Sequence, residues 1–392
     1  MERSEIREGG PGKSRIPFRA IRVTLAAGLS GALDMNCFSS DYQTARNRFC
    51  EAAQKLGCTL ESHPIAQQGP AGEDLAIDVA LSPLRDSASC LVISSGVHGV
   101  EGYFGSAAQL AALQRWFSNP VSQPRCRWVM IHAVNPYGMA WRRRFNEDNI
   151  DLNRNMLRDG EAYTGSPEGY ATLDRLINPQ SPPSRWEPVL LKFALAVVRH
   201  GRRAVQQAVT AGQYDYPTGL FFGGSRPSRS RLIFDQHLLR WLGDARRIFH
   251  LDLHTGLGPS GQYQMLVDHP VDDRQRAWLE GAFGADLVRT MGPGSVSAAL
   301  RGTLGLWGYW RTQPRDYLYA AAEFGTHSGP RVLAALRAEN RCTHWDAPGS
   351  ARTEQARRVL LEAFCPASPR WRARVIASSL RLIEQAQQAL LA

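Results

Sequence analysis

A chain of 392 residues with 43% hydrophobic and 9% aromatic content carries enough apolar material for a large buried core, which excludes disordered and fibrous classes. Its formal net charge of +10 invites a nucleic-acid partner, but only Lys13, Lys55 and Lys192 are lysines, and the arginines are scattered without a basic block. A skew toward arginine accounts for the charge, so no nucleic-acid partner is expected.

Residues 1–35, rich in Gly, Arg and Glu at their start, are expected to form a poorly ordered leader, with one folded domain over 36–392. The apolar stretch after Arg22 is short and broken by glycine, so neither a signal peptide nor a membrane partner is expected, and the default location is cytoplasmic. The seven cysteines, an odd number with no C-x-x-C pair, argue against a disulfide framework or a cysteine zinc site.

Ser39-Ser40-Asp41 offers caps for a helix over Tyr42–Leu56. The apolar runs Ser89–Ser95 and Arg127–Val134 predict buried strands, and Ser106–Phe117 between them predicts a helix, together a strand-helix-strand unit of an α/β sheet. A loop at Asn178–Ser184 precedes an expected helix at Val189–Ala211. Strands are expected at Arg247–His254 and Tyr319–Phe324, and two amphipathic helices at Ala351–Phe364 and Arg370–Leu391 close the chain.

Four segments carry chemistry. In Ile93-Ser-Ser-Gly-Val-His98-Gly-Val-Glu101-Gly102, a strand enters a glycine-flanked turn, and ligands bind at such strand ends. His98 and Glu101, three apart, can aim an imidazole nitrogen and a carboxylate at one zinc ion. Taken alone, H-x-x-E is a weak signal, more readily read as a surface His and a solvated Glu. In His250-Leu-Asp-Leu-His254, alternation places His250, Asp252 and His254 on one face, with His254 at the strand end. His254 would complete a two-His, one-carboxylate set with a position left for water; His250 is the rival ligand, set deeper where it suits a buried hydrogen bond. The run Arg142-Arg143-Arg144 reads as a solvated face or as donors to a substrate carboxylate or oxyanion. Glu323, at the end of an apolar strand before Gly325-Thr326, is placed to act as general base or to belong to a helix-capping loop.

In combination, H-x-x-E, N-P-x-G, R-x-N-x-x-x-x-D-L-N-R-N, D-L-H and a late strand-end Glu follow the order of the zinc carboxypeptidase superfamily, and the chain resembles it from about Asp41 to the C-terminus. H-G-V-E-G-Y-F-G and the loop Pro217–Ser228 are similar to a bacterial branch described only as a domain of unknown function. The resemblance implies one domain with a central mixed, largely parallel eight-stranded twisted sheet covered by helices on both faces. It implies one Zn2+ held by His98, Glu101 and His254, with Asp151 orienting the first histidine. Arg144 matches the arginine that polarises the scissile carbonyl, Asn153 and Arg154 the clamp on a terminal carboxylate, and Glu323 the general base. Tyr309 is the choice for the tyrosine that covers bound substrate, and Arg142 and Arg143 are left as surface or substrate-rim charges. The implied activity is hydrolysis of an amide next to a free carboxylate in a small peptide. The alternatives are an N-acyl amino acid deacylase like aspartoacylase or succinylglutamate desuccinylase, and a non-catalytic peptide-binding pseudoenzyme.

Overall fold

The computed structural model describes residues 35–392 apart from 85–86, 185, 202–204, 206–210 and 291–299. Nearly all of the leader expected over 1–35 lies outside the described residues. Eight strands form one sheet: β1 (Thr59–Gln68), β2 (Asp74–Leu81), β3 (Ser89–Ser95), β4 (Arg127–His132), β5 (Arg247–Thr255), β6 (Tyr263–Val267), β7 (Val288–Thr290) and β8 (Asp316–Phe324). Their order is β1-β2-β4-β3-β5-β8-β6-β7. The centre is parallel, since β3 pairs with β4 and β5, and β5 with β8. Antiparallel pairing enters only toward the two sides, at β1–β2, β2–β4 and β6–β8. The single α/β domain with a mixed eight-stranded sheet is as the resemblance implied.

The central strands form because their sequences are continuous apolar runs that can be covered on both faces. Every residue of β4 is buried, as are all but the first of β3 and β5. On one face, α2 (Gly102–Ser118) and the C-terminal α12 (Pro369–Leu391) pack together; Phe104 meets Phe324 at 4.8 Å between ring centroids and Trp371 at 5.9 Å. On the other face lie α7 (Arg229–Leu242) and α9 (Leu304–Arg311), joined through Phe234 and Trp307. The first helix, α1 (Tyr42–Lys55), starts at Asp41, whose carboxylate accepts the Thr44 N–H at 2.7 Å. Among the described residues, no helix is long and apolar enough to cross a membrane.

Several boundaries differ from the sequence expectation. The α2 helix begins at Gly102, four residues before Ser106, because the turn that carries His98 winds directly into it through a short 3-10 turn at Gly99–Glu101. The β4 strand stops at His132 because Ala133 adopts a left-handed φ of 54° and turns the chain out of the ladder. The expected helix at Val189–Ala211 ends as α6 (Val189–His200), capped by Gly201 at φ 83°; most of the rest lies outside the described residues.

His132 is fully buried, with Nε2 at 3.0 Å from Ser106 Oγ and its ring stacked on Phe49 at 4.7 Å. Burial disfavours the imidazolium and lowers its pKa to about 4. The unfolded imidazole protonates near pH 6.5 and the folded one only near 4, so its contribution to stability is present above pH 6.5 and lost as pH falls toward 4. His132→Asn is expected to reduce by about one the protons taken up on unfolding near pH 5. Urea unfolding across pH 7 to 5 measures this, and an unchanged slope would contradict it.

Candidate metal centre

The centre is assembled at the carboxyl edge of the parallel strands. The β3 strand ends at Ser95, Gly96 turns the chain at φ 69°, and His98 and Glu101 follow. Gly99 must be glycine, since a Cβ there would lie 2.1 Å from the Gly138 carbonyl carbon in α3 (Pro136–Ala140). That approach lets Gly99 N–H donate to Arg144 O at 3.1 Å and Val100 N–H to Arg143 O at 2.8 Å, which seats Arg144 beside His98. From the neighbouring strand, His254 enters opposite Glu323 in the β5–β8 register.

His98, Glu101 and His254 are buried, and one ligand atom from each lies within 4.8 Å of the others. Both Nδ1 atoms face the same carboxylate: His98 Nδ1 is 2.9 Å from Glu101 Oε1, and His254 Nδ1 is 3.1 Å from Glu101 Oε2. Both Nε2 atoms are held from behind, His98 by Asp151 Oδ1 at 3.1 Å and His254 by Asp252 Oδ2 at 2.6 Å. A carboxylate behind each imidazole fixes its ring and raises its basicity as a ligand. Two nitrogens and a carboxylate converging in this way fit a divalent cation of the zinc type.

The electrostatics are dominated by burial and its compensation. Burial alone would raise Glu101, but the charges and hydrogen bonds of His98 and His254 hold it well below the usual carboxylate range. Asp151 is likewise lowered against burial by Arg144 and His98, and Asp252 to about 2 by His254. Burial opposes the charged form of His254, yet Asp252 and Glu101 raise its pKa well above the ordinary value. Glu323 differs: burial pushes it up to about 7, and its Oε2 has no hydrogen-bond partner.

Arg144 donates from Nη1 to Glu101 Oε1 at 3.1 Å and from Nε to Asp151 Oδ2 at 3.2 Å, with its guanidinium 5.5 Å from the Phe221 ring centre. Asn153 accepts the Leu304 N–H at 2.9 Å, and Arg154 is buried against Gly212, where a Cβ would lie 2.5 Å from its Cδ. Tyr309 is not joined to this cluster; its ring stacks on His269 at 5.3 Å and meets Trp310 at 5.0 Å. His250 bonds Ser94 Oγ and Tyr317 OH, each at 2.7 Å, a buried hydrogen-bonding position. Arg143, expected at the surface or rim, is instead buried, with Nε 2.8 Å from Glu339 Oε1 and Nη2 2.9 Å from Asn149 Oδ1. The left-handed Arg142, at φ 54°, turns the chain so that Arg143 and Arg144 both point inward.

The Pro217–Ser228 loop had no assignable role in the sequence; in space it forms a wall of the site. Phe222 O accepts the Asp151 N–H at 2.7 Å, and Asn155 Nδ2 donates to Gly223 O and Arg226 O at 2.8 and 2.9 Å. Strand alternation places Asp252 on the same face as His254, and its carboxylate lies 2.6 Å from His254 Nε2. Glu101→Ala is expected to abolish binding of one equivalent of zinc, and Asp252→Asn to weaken it about 10–100-fold. Zinc titration against a chromophoric chelator reads both, and an Asp252→Asn affinity equal to wild type would exclude the orienting role.

No match is found among curated proteins. Among solved structures, the chain is similar to bovine thrombin-activatable fibrinolysis inhibitor in complex with tick carboxypeptidase inhibitor, at 10% identity and a TM-score of 0.50, over 90% of this chain and 97% of that one. It is also similar to the succinylglutamate desuccinylase from Chromobacterium violaceum, at 14% identity and 0.36, covering 82% and 74%. Murein-tripeptide amidase from Escherichia coli O157 matches at 16% and 0.33, covering 72% and 91%. The first of these likenesses shows the fold alone. The family model for proteins of unknown function DUF2817 matches residues 38–378, and the chain belongs to that family, a branch with the zinc-carboxypeptidase fold.

Proposed function

We propose that the protein is a metal-dependent hydrolase that cleaves an amide bond next to a free carboxylate. The observation that carries this reading is the convergence of His98, Glu101 and His254 beside Glu323, whose buried Oε2 has no partner. A zinc ion held by the three ligands would supply Lewis-acid charge that acidifies water and polarises a carbonyl.

Glu323 takes the proton from the attacking water and passes it to the leaving amine. Its pKa, raised by burial to about 7, suits a group that must gain and lose a proton near neutral pH. Arg144, already inside the cluster, offers N–H donors to the oxygen on which negative charge develops. Arg154 holds the substrate carboxylate with the amide of Asn153 beside it. A peptide and an N-acyl amino acid both present an amide adjacent to a carboxylate, so the same residues serve either substrate.

Glu323→Gln is expected to lower kcat about 10²–10⁴-fold while one equivalent of zinc stays bound. Single-turnover assays on a panel of short peptides and N-acyl amino acids measure this, with metal content determined alongside. Full turnover in the variant would exclude Glu323 as the base. The member of the panel that is hydrolysed distinguishes peptidase from deacylase.

A further inference from the structure

We propose that Ser94 and His250 are positioning residues for the metal ligand His254, acting through Asp252 in a one-way hydrogen-bond chain that fixes which nitrogen of His254 faces the ion. The proposal rests on the metal-dependent reading above and gives a role to a histidine outside the ligand set.

The chain lies on one face of three adjacent central strands. In the parallel register Ser94 of β3 stands opposite Asp252 of β5, and His250 of β5 stands opposite Tyr319 of β8. Residues two apart on a strand return to the same face, so His250, Asp252 and His254 line up with Tyr317 and Tyr319. All of them are buried, where each polar group needs a partner. Tyr317 OH is 2.7 Å from His250 Nδ1, His250 Nε2 is 2.7 Å from Ser94 Oγ, and Ser94 Oγ is 2.7 Å from Asp252 Oδ1. On its other oxygen, Asp252 meets Tyr319 OH at 2.9 Å and His254 Nε2 at 2.6 Å. Two glycines of α9 clear the space for the phenols. A Cβ at Gly308 would strike the Tyr317 hydroxyl, and one at Gly305 would strike the Tyr319 ring.

Proton counting makes the chain run one way. A carboxylate can only accept, and a serine hydroxyl has one proton to give. Ser94 therefore donates to Asp252 and accepts from His250, which places a proton on His250 Nε2. His250 Nδ1 is then the acceptor for the Tyr317 O–H. Burial favours this neutral imidazole, lowering the His250 pKa to about 4, and keeps both phenols protonated. With His250 protonated on Nδ1 instead, Ser94 would stand between two acceptors with one proton for both. At the far end Asp252, with Ser94 and Tyr319 already donating to it, offers His254 only lone pairs. His254 is therefore protonated at Nε2 and presents Nδ1, the nitrogen that faces Glu101, to the ion.

Imidazole-nitrogen NMR of the zinc-loaded protein tests the chain without catalysis, with His250 assigned through its contacts to the Tyr317 and Tyr319 rings. Wild type is expected to show His250 protonated at Nε2 and bare at Nδ1. A proton on Nδ1 would overturn the proposal even where no variant folds. Competition for zinc with a chromophoric chelator reads the positioning itself. Ser94→Ala is expected to weaken zinc binding about 10–100-fold and His250→Leu about 3–10-fold. His250→Gln, whose amide N–H can still donate to Ser94, is expected to stay near wild type. Wild-type affinity in Ser94→Ala or His250→Leu, or equal losses in His250→Gln and His250→Leu, would also overturn the proposal. A wild type that binds no zinc would overturn the metal-dependent reading and the proposal with it, whereas zinc binding unmoved by the variants overturns the proposal alone.

Discussion

Three carboxylates, Glu101, Asp151 and Asp252, are buried around two imidazoles and one guanidinium, and that concentration of charge governs the centre of the molecule. Isolated buried carboxylates would neutralise by taking up protons. Here each is held ionised by a specific neighbour, His98 and His254 for Glu101, Arg144 for Asp151 and His254 for Asp252. Glu323 lacks such a neighbour in contact and is the one acid among the four whose pKa rises. One sheet edge thus holds three carboxylates kept ionised by their neighbours and a fourth, Glu323, that burial makes easier to protonate, and the difference arises from pairing, not from residue type.

The scaffold meets this demand with backbone contacts. Gly99 and Gly138 allow two turns to touch, and the hydrogen bonds that follow fix Arg144 against His98. The parallel register of β3, β5 and β8 brings His98, His254 and Glu323 out at the same edge. Asn155 and Asn149 bind carbonyls of the Pro217–Ser228 segment, so the short helix that supplies Asn153 and Arg154 also fastens the adjacent wall.

Much of this was legible because central parallel strands write themselves as unbroken apolar runs. Ser89–Ser95 and Ala351–Phe364 have the expected bounds. The β1 strand was not legible: it is an outer strand with Glu61, His63 and Pro64 in it, mostly exposed, so it lacks both the alternation and the apolar content that mark a strand. Of the site, the residues brought together are those at strand ends and in the tight turn, where spacing constrains direction. Arg143 was misplaced because a left-handed residue before it reverses the side-chain direction, and nothing in three consecutive arginines signals that.

The bond from Asp151 N–H to Phe222 O ties the loop wall to the residue that orients His98. Drawing that wall aside would release Asp151 and misalign the imidazole it supports, so opening there and holding an ion are opposed demands. The wall behaves as a fixed jamb, not a door.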